Sequence, residues 1–148
     1  MSQHGAMKVE LRNEIHGGLP PHDDHPYRSG VWRPQYREYD AWDLDVEGEI
    51  PDDLAGVYLR NTETAVFEPA KRYHPFDGDG MIHSIGFANG EATYANRFVR
   101  TEGFLAEQEA GRSLWAGITE HPSNAEADHG WGARSMMKDN ASTDVIVH

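Results

Sequence analysis

Nine histidines and 25 acidic residues give this chain of 148 residues many groups that could bind a metal ion or move protons. The densest cluster is the run His22-Asp23-Asp24-His25, and both imidazole and carboxylate are common metal ligands. Adjacent residues in a proline-rich segment rarely converge on one ion. The run is therefore a weak candidate for a metal site.

Asp77 and Asp79 form a second candidate, because the segment Asp77-Gly-Asp-Gly80 could belong to a calcium loop. A helix-loop-helix calcium site needs oxygen ligands at regular steps over about twelve residues and a terminal glutamate, which this segment lacks. Its two glycines favour a tight turn with positive φ angles. Aspartate side chains in such a turn accept hydrogen bonds from nearby backbone amides. The segment therefore predicts a structural turn.

The composition excludes several other classes of site and partner. The chain has no cysteine, which rules out disulfides and thiolate metal centres. Its net charge of -12 argues against a nucleic-acid groove or an anionic membrane surface as a partner. The N-terminal residues lack the apolar stretch of a signal peptide, and no window approaches the ~18 apolar residues of a membrane span. We therefore expect a folded cytoplasmic protein.

The first half of the chain predicts an irregular leader followed by short elements. Proline and glycine breaks predict the leader over residues 1–38. Alternating apolar and polar residues predict a strand at Trp42–Val46. Pro51-Asp-Asp-Leu54 favours one helical turn with carboxylates at its positive end, and Val57–Arg60 follows as a strand. Residues 62–72 are predicted to form a polar loop.

A β-hairpin is the clearest pattern in the second half. Met81–Phe87 and Ala92–Thr101 alternate in polarity, and Asn89-Gly90 between them is the strongest short hairpin signal. A loop is predicted over residues 116–134. The apolar residues of Asp144–His148 predict the beginning of a strand. A natural domain seldom ends inside a strand.

A short helix is predicted between residues 102 and 115. Its Glu107 and Glu109 are expected to face outward, since the more apolar positions recur at near-helical spacing on the other side. Those positions are Phe104, Leu105, Gln108, Arg112 and Leu114.

Four segments occur in one order that is typical of a known family. They are Gly48-Glu-Ile-Pro-Asp-Asp-Leu-Ala-Gly-Val-Tyr-Leu-Arg-Asn61, Phe76-Asp-Gly-Asp-Gly-Met-Ile-His83, Asn96-Arg-Phe-Val-Arg-Thr101 and Asn140-Ala-Ser-Thr-Asp-Val-Ile-Val-His148. Together they resemble the carotenoid and stilbene cleavage oxygenases, which are non-haem iron enzymes. After Asn61 the family commonly has Gly-Pro-Asn-Pro, whereas Thr62-Glu-Thr-Ala65 stands here. This departure leaves the substrate class open.

The resemblance implies an all-β fold, the N-terminal part of a seven-bladed β-propeller with a short inserted helix. A propeller blade takes roughly 40–45 residues, judged by WD40 repeats. A closed seven-bladed propeller needs on the order of 300 residues. The chain therefore corresponds to about two blades, with residues 1–38 as the leader and residues 39–148 as an incomplete propeller truncated within a strand.

The resemblance also implies an activity for the parent protein. An enzyme of this family uses Fe(II) and dioxygen to split a C=C bond of a carotenoid, an apocarotenoid or a stilbene into carbonyl products. The implied partners are an apolar alkene and dioxygen, and membrane contact would involve only other parts of the protein. Two alternatives stay open: an isomerohydrolase of the same family, or an inactive fragment or stand-alone β module that binds a partner.

Family members hold iron with four histidines from several blades, and the first lies in an Ala-His-Pro-Lys-like segment downstream of the strand that Asn140–His148 resembles. His121-Pro122 resembles that segment but precedes the strand, so its order is wrong. His74, His83 and His148 match motif positions that do not bind iron in the family. No catalytic residue and no iron ligand is therefore expected within residues 1–148, and the four ligands are expected beyond His148.

Lys138 is the one residue for which the resemblance implies a substrate contact. In the stilbene-cleaving branch, a lysine just before the last motif hydrogen-bonds a phenolic oxygen of the substrate, and Lys138 stands two residues before Asn140. That branch also uses a tyrosine, whereas Phe98 and Phe104 carry no hydroxyl. The alternative for Lys138 is a solvated surface lysine.

Overall fold

A single five-stranded antiparallel sheet organises the chain, as seen in a computed structural model that describes residues 6–20, 24–68, 72–126 and 138–148. The described residues contain one α-helix and three short 3-10 turns. The 3-10 turns span Gly30–Trp32, Pro75–Asp77 and Pro122–Asn124. The strands are β1 Lys8–Glu14, β2 Arg37–Trp42, β3 Gly56–Thr64, β4 Asp79–Ala88 and β5 Glu91–Phe98, and the helix is α1 Glu102–Ala110. The spatial order of the strands is β1-β2-β5-β4-β3.

The predicted hairpin is confirmed as β4 and β5. Asn89 and Gly90 connect the strands with φ angles of 52° and 75°. Two successive positive φ angles match the twist of the flanking strands, which is why Asn-Gly is favoured there. The hairpin register pairs Ala88 with Glu91 next to the turn and Met81 with Phe98 at the far end.

The prediction that the leader is irregular is wrong at Lys8–Glu14, which pairs antiparallel with β2 at one edge of the sheet. All seven residues of β1 are exposed, so the strand buries no face that would give a recognisable alternation. The strand predicted at Trp42–Val46 is also wrong in position. The observed strand is Arg37–Trp42, and the left-handed conformation of Asp43, with φ 55°, ends it. The division of the chain at residue 38 stays a prediction, although β2 crosses it.

The segment after β3 supplies part of the hydrophobic core, which corrects the prediction of a polar loop over residues 62–72 as far as residue 68, whereas residues 69–71 lie outside the described part. β3 continues to Thr64, and the next three residues, Ala65–Phe67, are buried. Val66 and Phe67 contact a cluster that also contains Met81, Phe98 and Phe104. This apolar run covers one end of the sheet instead of facing water.

Helix α1 covers the same end of the sheet. The Thr101 hydroxyl accepts a hydrogen bond from the Phe104 amide at 3.0 Å, and Gly111 ends the helix with a φ of 68°. The rings of Phe98 and Phe104 stack with their centroids 5.2 Å apart. The predicted helix is therefore confirmed. The outward orientation predicted for Glu107 is wrong, because its side chain is buried.

The glycines of Asp77-Gly-Asp-Gly80 are needed for close approach and not for positive φ. Gly78 has a φ of -72°, and Gly80 lies inside β4. A Cβ atom on Gly78 would lie 2.9 Å from the Thr64 amide nitrogen, and one on Gly80 would overlap the carbonyl oxygen of Ala141. The prediction of a positive-φ turn at this segment is therefore wrong, although small residues are required there.

The remaining predicted elements have mixed outcomes. Pro51–Leu54 forms a single turn closed by the Leu54 amide on the Pro51 carbonyl at 3.0 Å, and Val57–Arg60 lies within β3. The strand predicted at Asp144–His148 is wrong, because the structure has no regular element there.

Of the loop predicted over residues 116–134, residues 127–134 lie outside the described part. Among the described residues, no helix has the length and hydrophobicity that crossing a bilayer requires.

One row of apolar side chains crosses the sheet from edge to edge on the face that carries the core. The row follows the strand register, pairing Val9 with Ala41, Ala41 with Tyr94, Tyr94 with Ile85 and Ile85 with Tyr58. Val9 and Tyr58 remain 52% and 55% exposed at its ends. Helix α1 covers the Met81–Phe98 end of this face, whereas the row is buried only at Ala41 and stays exposed at both ends.

An ion pair between a buried carboxylate, Glu38, and a partly exposed guanidinium, Arg100, joins β2 to the end of β5 and the residues after it. The Glu38 carboxylate, in a residue that is 1% exposed, accepts hydrogen bonds from the Phe98 amide at 2.7 Å and from both terminal nitrogens of Arg100 at 2.9 and 2.5 Å. Burial raises the pKa of Glu38, but the hydrogen bonds from Arg100 and Phe98 outweigh it and lower the pKa overall. Glu38 therefore stabilises the fold above its unfolded pKa, and this contribution is lost as pH falls through the folded pKa.

Glu38→Gln is expected to lower the free energy of unfolding at pH 7 by about 1.5–3 kcal/mol, the range for hydrogen bonds to a charged group. The difference from wild type should shrink as pH falls below about 4, because the glutamate is then neutral as well. Urea unfolding at several pH values measures both quantities. Glu14→Gln, which removes half of an exposed pair with Arg37 at 2.9 Å, is the matched control with little effect. An equal loss for Glu38→Gln at every pH would show that the charge of Glu38 does not matter.

Candidate functional site

Three buried charged side chains from separate parts of the chain meet beside the core. Lys138 places its Nζ 2.6 Å from Oδ1 of Asp79, the first residue of β4, and 2.5 Å from Oε2 of Glu107 on α1. The three side chains are 9%, 4% and 4% exposed, respectively. We call Asp79, Glu107 and Lys138 the ionic cluster. Such a cluster is held together by strong attraction because water is largely excluded from it.

Backbone contacts fix the segment that carries Lys138. The Gly80 amide donates to the Asn140 carbonyl at 2.9 Å, and the Gly103 amide donates to Asp139 Oδ1 at 3.1 Å. The segment therefore contacts both β4 and the first turn of α1. Gly80 has no side chain, which allows the segment to lie directly on the strand.

The electrostatics of the ionic cluster follow from its charge count. Burial raises the pKa of Asp79 to about 6, although the Lys138 ammonium acts in the opposite direction. Burial acts to lower the pKa of Lys138, but Asp79 and Glu107 outweigh it and raise the pKa overall. With all three groups ionised, two negative charges share one positive charge. When both carboxyl groups are ionised, the cluster therefore carries one excess buried negative charge.

The three residues of the ionic cluster line a cavity of about 150 Å³. Aromatic side chains also line it, among them Phe67, Tyr73, Phe76 and Trp115. Burial raises the pKa of the Tyr73 hydroxyl, so this group is a neutral hydrogen-bonding group at neutral pH. The cavity thus combines an apolar surface with a few charged groups, which is the usual character of a small-molecule site.

Asp77 and Asp79 have different roles, although the sequence predicted turn chemistry for both. Asp77 accepts hydrogen bonds from the His74 amide at 2.8 Å and from the Ile118 amide at 2.6 Å, which confirms a structural role. Asp79 instead forms an ion pair with Lys138, so the prediction for Asp79 is wrong. Its partner lies far along the chain, and the local Asp-Gly pattern therefore carries no sign of it.

The structure also corrects one interpretation of Lys138. The alternative of a solvated surface lysine is wrong, because the side chain is buried between two carboxylates. Contact with a phenolic substrate stays a prediction. Phe98 and Phe104, which carry no hydroxyl, stack on each other in the core.

The rings of His74, His83 and His121 have hydrogen-bonding partners within the protein. His83 places Nδ1 2.7 Å from the Tyr94 hydroxyl and Nε2 3.1 Å from the Thr62 hydroxyl. Burial lowers the pKa of His83, so its ring is neutral at neutral pH. His74 and His121 cap the 3-10 turns that follow them.

The donor set of the described residues does not fit an iron centre. Within residues 6–20, 24–68, 72–126 and 138–148, no group of three or more histidine, aspartate or glutamate side chains could hold a metal ion. The candidate run at residues 22–25 cannot be judged as a whole, because His22 and Asp23 lie outside the described residues, as does His129.

Several known proteins are similar to this chain in sequence and in fold. The family model described as retinal pigment epithelial membrane protein matches residues 32–148. Lignostilbene-α,β-dioxygenase isozyme III of Sphingomonas paucimobilis is 36% identical over 123 residues, covering 81% of this chain and 24% of that protein. Apocarotenoid-15,15'-oxygenase of Synechocystis is 41% identical over 90 residues, covering 59% of this chain and 18% of that protein.

Structural similarity extends over more of the chain. The crystal structure of lignostilbene dioxygenase from Pseudomonas brassicacearum matches 88% of this chain and 26% of its own, with a TM-score of 0.73 and 28% identity. The chain thus spans about a quarter or less of the length of these relatives. The match to the family model includes most of the chain, and all four sequence motifs lie within residues 32–148. The chain therefore belongs to the retinal pigment epithelial membrane protein family, the family of the carotenoid and stilbene cleavage oxygenases.

Proposed function

We propose that the protein carrying this chain is an Fe(II)-dependent oxygenase that cleaves a C=C bond of a stilbene, carotenoid or apocarotenoid into two carbonyl products. The observation that carries the proposal is the match of residues 32–148 to the family model. The fold of the described residues agrees with it, because 88% of the chain superimposes on a lignostilbene dioxygenase.

The extent of the matches favours an aromatic alkene as the first substrate class to test. Lignostilbene-α,β-dioxygenase isozyme III and the isoeugenol monooxygenase of Pseudomonas nitroreducens match 81% and 83% of this chain, respectively. Apocarotenoid-15,15'-oxygenase and a bean carotenoid 9,10(9',10')-cleavage dioxygenase match 59% and 64%. The relatives named for aromatic substrates therefore match a larger share of this chain.

Iron in this proposal is held by residues outside the present sequence. Bound Fe(II) would activate dioxygen for reaction with the alkene. The described residues of this chain supply no ligand set, so we assign them a scaffold role. Contact of Lys138 with a phenolic oxygen is compatible with the proposal, because Lys138 lines the cavity and its ammonium has three N–H donors, of which Asp79 and Glu107 use two.

The proposed architecture of the whole protein is a seven-bladed propeller in which this chain supplies about two blades. The apolar row from Val9 to Tyr58, which is exposed at both ends, supports the proposal, because an apolar sheet face is stable when another layer covers it. We propose that a neighbouring blade from the rest of the protein provides that layer. A cytoplasmic location is proposed for the whole protein.

The function is tested on the full-length protein loaded with Fe(II). It is incubated in air with a hydroxystilbene, an apocarotenal or a retinyl ester, and products are identified by mass spectrometry. We expect two carbonyl fragments from one of the first two substrates and no fragments without dioxygen. Conversion of the retinyl ester to an alcohol, with no dioxygen requirement, would instead identify an isomerohydrolase. No turnover of any of the three would contradict the proposal.

A further inference from the structure

The ionic cluster contains an unequal number of buried opposite charges. Asp79 and Glu107 both contact Lys138, and all three side chains are at least nine-tenths buried. One carboxylate and one ammonium would form a neutral pair, so the second carboxylate is an excess charge in a site of low polarity. Burying such a charge is costly unless it is neutralised, and protonation is the simplest way to neutralise it.

We propose that the ionic cluster is a proton-binding latch that holds residues 138–141 against β4 and α1 and tightens when it takes up one proton. The proposal concerns how this part of the chain responds to pH, and it does not depend on the reaction of the parent protein.

The groups around Asp79 support proton uptake. Lys138 stabilises the ionised carboxylate, whereas Glu107 and Asp139 act against it, and burial has the largest effect. Tyr73 also faces this region, but as a neutral phenol, because burial and the charges of Asp77 and Asp79 raise its pKa. The balance leaves the pKa of Asp79 at about 6. That value is higher than the ordinary value of an exposed aspartate, which is about 3.9.

The sign of the pH effect follows from linkage. A carboxyl group whose pKa is raised in the closed latch binds its proton more tightly there than after opening. The closed state is therefore favoured most at pH values below the ordinary pKa of an aspartate. This stabilisation of the closed state is lost as pH rises through the raised pKa of Asp79. For pKa values of about 6 when closed and about 4 when open, the opening equilibrium changes about tenfold between pH 5 and pH 7.

The segment held by the latch is part of the cavity wall. Lys138 and Asn140 both line the cavity, and the Asn140 side-chain amide also donates to the Phe76 carbonyl. A second contact, from the Asn61 side-chain amide to the Ala141 carbonyl at 2.8 Å, ties the segment to β3. Opening of the latch would therefore free one wall of the cavity while the sheet stays intact.

Two backbone amides report directly on the latch. The Gly80 amide is bonded to Asn140, and the Gly103 amide is bonded to Asp139, so each is protected only while the segment is seated. Hydrogen–deuterium exchange of the full-length protein, followed by mass spectrometry of peptides that contain these glycines, measures their protection. Exchange rates are corrected for the intrinsic effect of pH.

We expect protection of both amides to be about tenfold higher at pH 5 than at pH 7 in the wild type. Glu107→Gln and Asp79→Asn each remove the excess negative charge, so both should abolish the pH dependence. Glu126→Gln is the matched control, because Glu126 forms an exposed pair with Arg112 at 2.6 Å, and it should keep the tenfold change.

Two results would overturn the proposal. The first is a change in the protection of the wild-type amides that is smaller than about twofold between pH 5 and pH 7. This result does not depend on the folding of any variant. The other is a tenfold change that persists in both Glu107→Gln and Asp79→Asn, because the proton would then bind elsewhere.

Discussion

Lys138→Met is expected to lower the free energy of unfolding at pH 7 by about 3–5 kcal/mol, the usual cost of removing one partner from a buried ion pair. The methionine has a similar volume, so loss of packing contributes little. What remains is two buried carboxylates, Asp79 and Glu107, with no positive charge between them. Chemical denaturation of the full-length protein, followed by circular dichroism, measures the loss.

Two further variants separate charge from packing in this prediction. Lys8→Met removes the exposed pair with Asp43 at 2.6 Å and should cost less than about 1 kcal/mol. The triple variant Asp79→Asn, Glu107→Gln and Lys138→Met removes all three charges together. It should recover most of the loss, because a neutral set of similar shape needs no charge compensation. If Lys138→Met costs no more than Lys8→Met, the ionic cluster does not stabilise the fold.

Gly80→Ala is expected to destabilise the protein by about 1–3 kcal/mol or more, as overpacking of a tight contact does. The new methyl group would overlap the carbonyl oxygen of Ala141, a backbone atom that cannot rotate away. The segment that carries Lys138 would have to move off β4. The expected result therefore includes faster exchange of the Gly103 amide, which depends on the same segment.

Gly86→Ala is the matched control, since Gly86 lies in the same strand. Its added methyl group would meet only the Thr93 hydroxyl, at 2.9 Å, and a hydroxyl can rotate away. We expect a clearly smaller loss of stability and no change at the Gly103 amide. Equal effects of the two substitutions would mean that any side chain in this strand is harmful and that close approach of the segment is not the reason for Gly80.

The parts of the fold that the sequence predicts are those with local causes. Asn89-Gly90 determines a hairpin by its own backbone preferences, and the near-helical spacing after residue 102 predicts α1, although the helix ends at Ala110 and not near residue 115. β1 could not be predicted in this way, because all its side chains are exposed and its pairing depends on β2 alone. The positive φ angles predicted for Gly78 and Gly80 are wrong, because the need for glycine there comes from segments distant in the chain that approach them closely.

The ionic cluster shows where sequence reasoning about the site fails. Lys138 and Glu107 are 31 positions apart, and no local pattern relates them. Lys138 was therefore interpreted either as a substrate contact or as an exposed residue, and Glu107 was placed on the outer face of α1. Both carboxylates are buried because three separate segments meet at one point, and only the tertiary structure brings these segments together.

The family assignment was predictable because the motifs keep their order along the chain. The segment that begins at Gly48 and the one that ends at His148 both lie within the region that the family model matches. The expectation that the four iron ligands lie beyond His148 stays a prediction.

The location of the iron is the central claim of this account, and metal content tests it directly. Each of the nine histidines of residues 1–148 is replaced by alanine, one at a time, in the full-length protein. Iron is then measured by mass spectrometry in each variant whose circular dichroism matches the wild type. We expect about one iron per chain in the wild type and in every such variant, since four-histidine coordination by other parts of the protein would be unaffected. Loss of iron from any correctly folded variant would place a ligand within these residues and contradict the account.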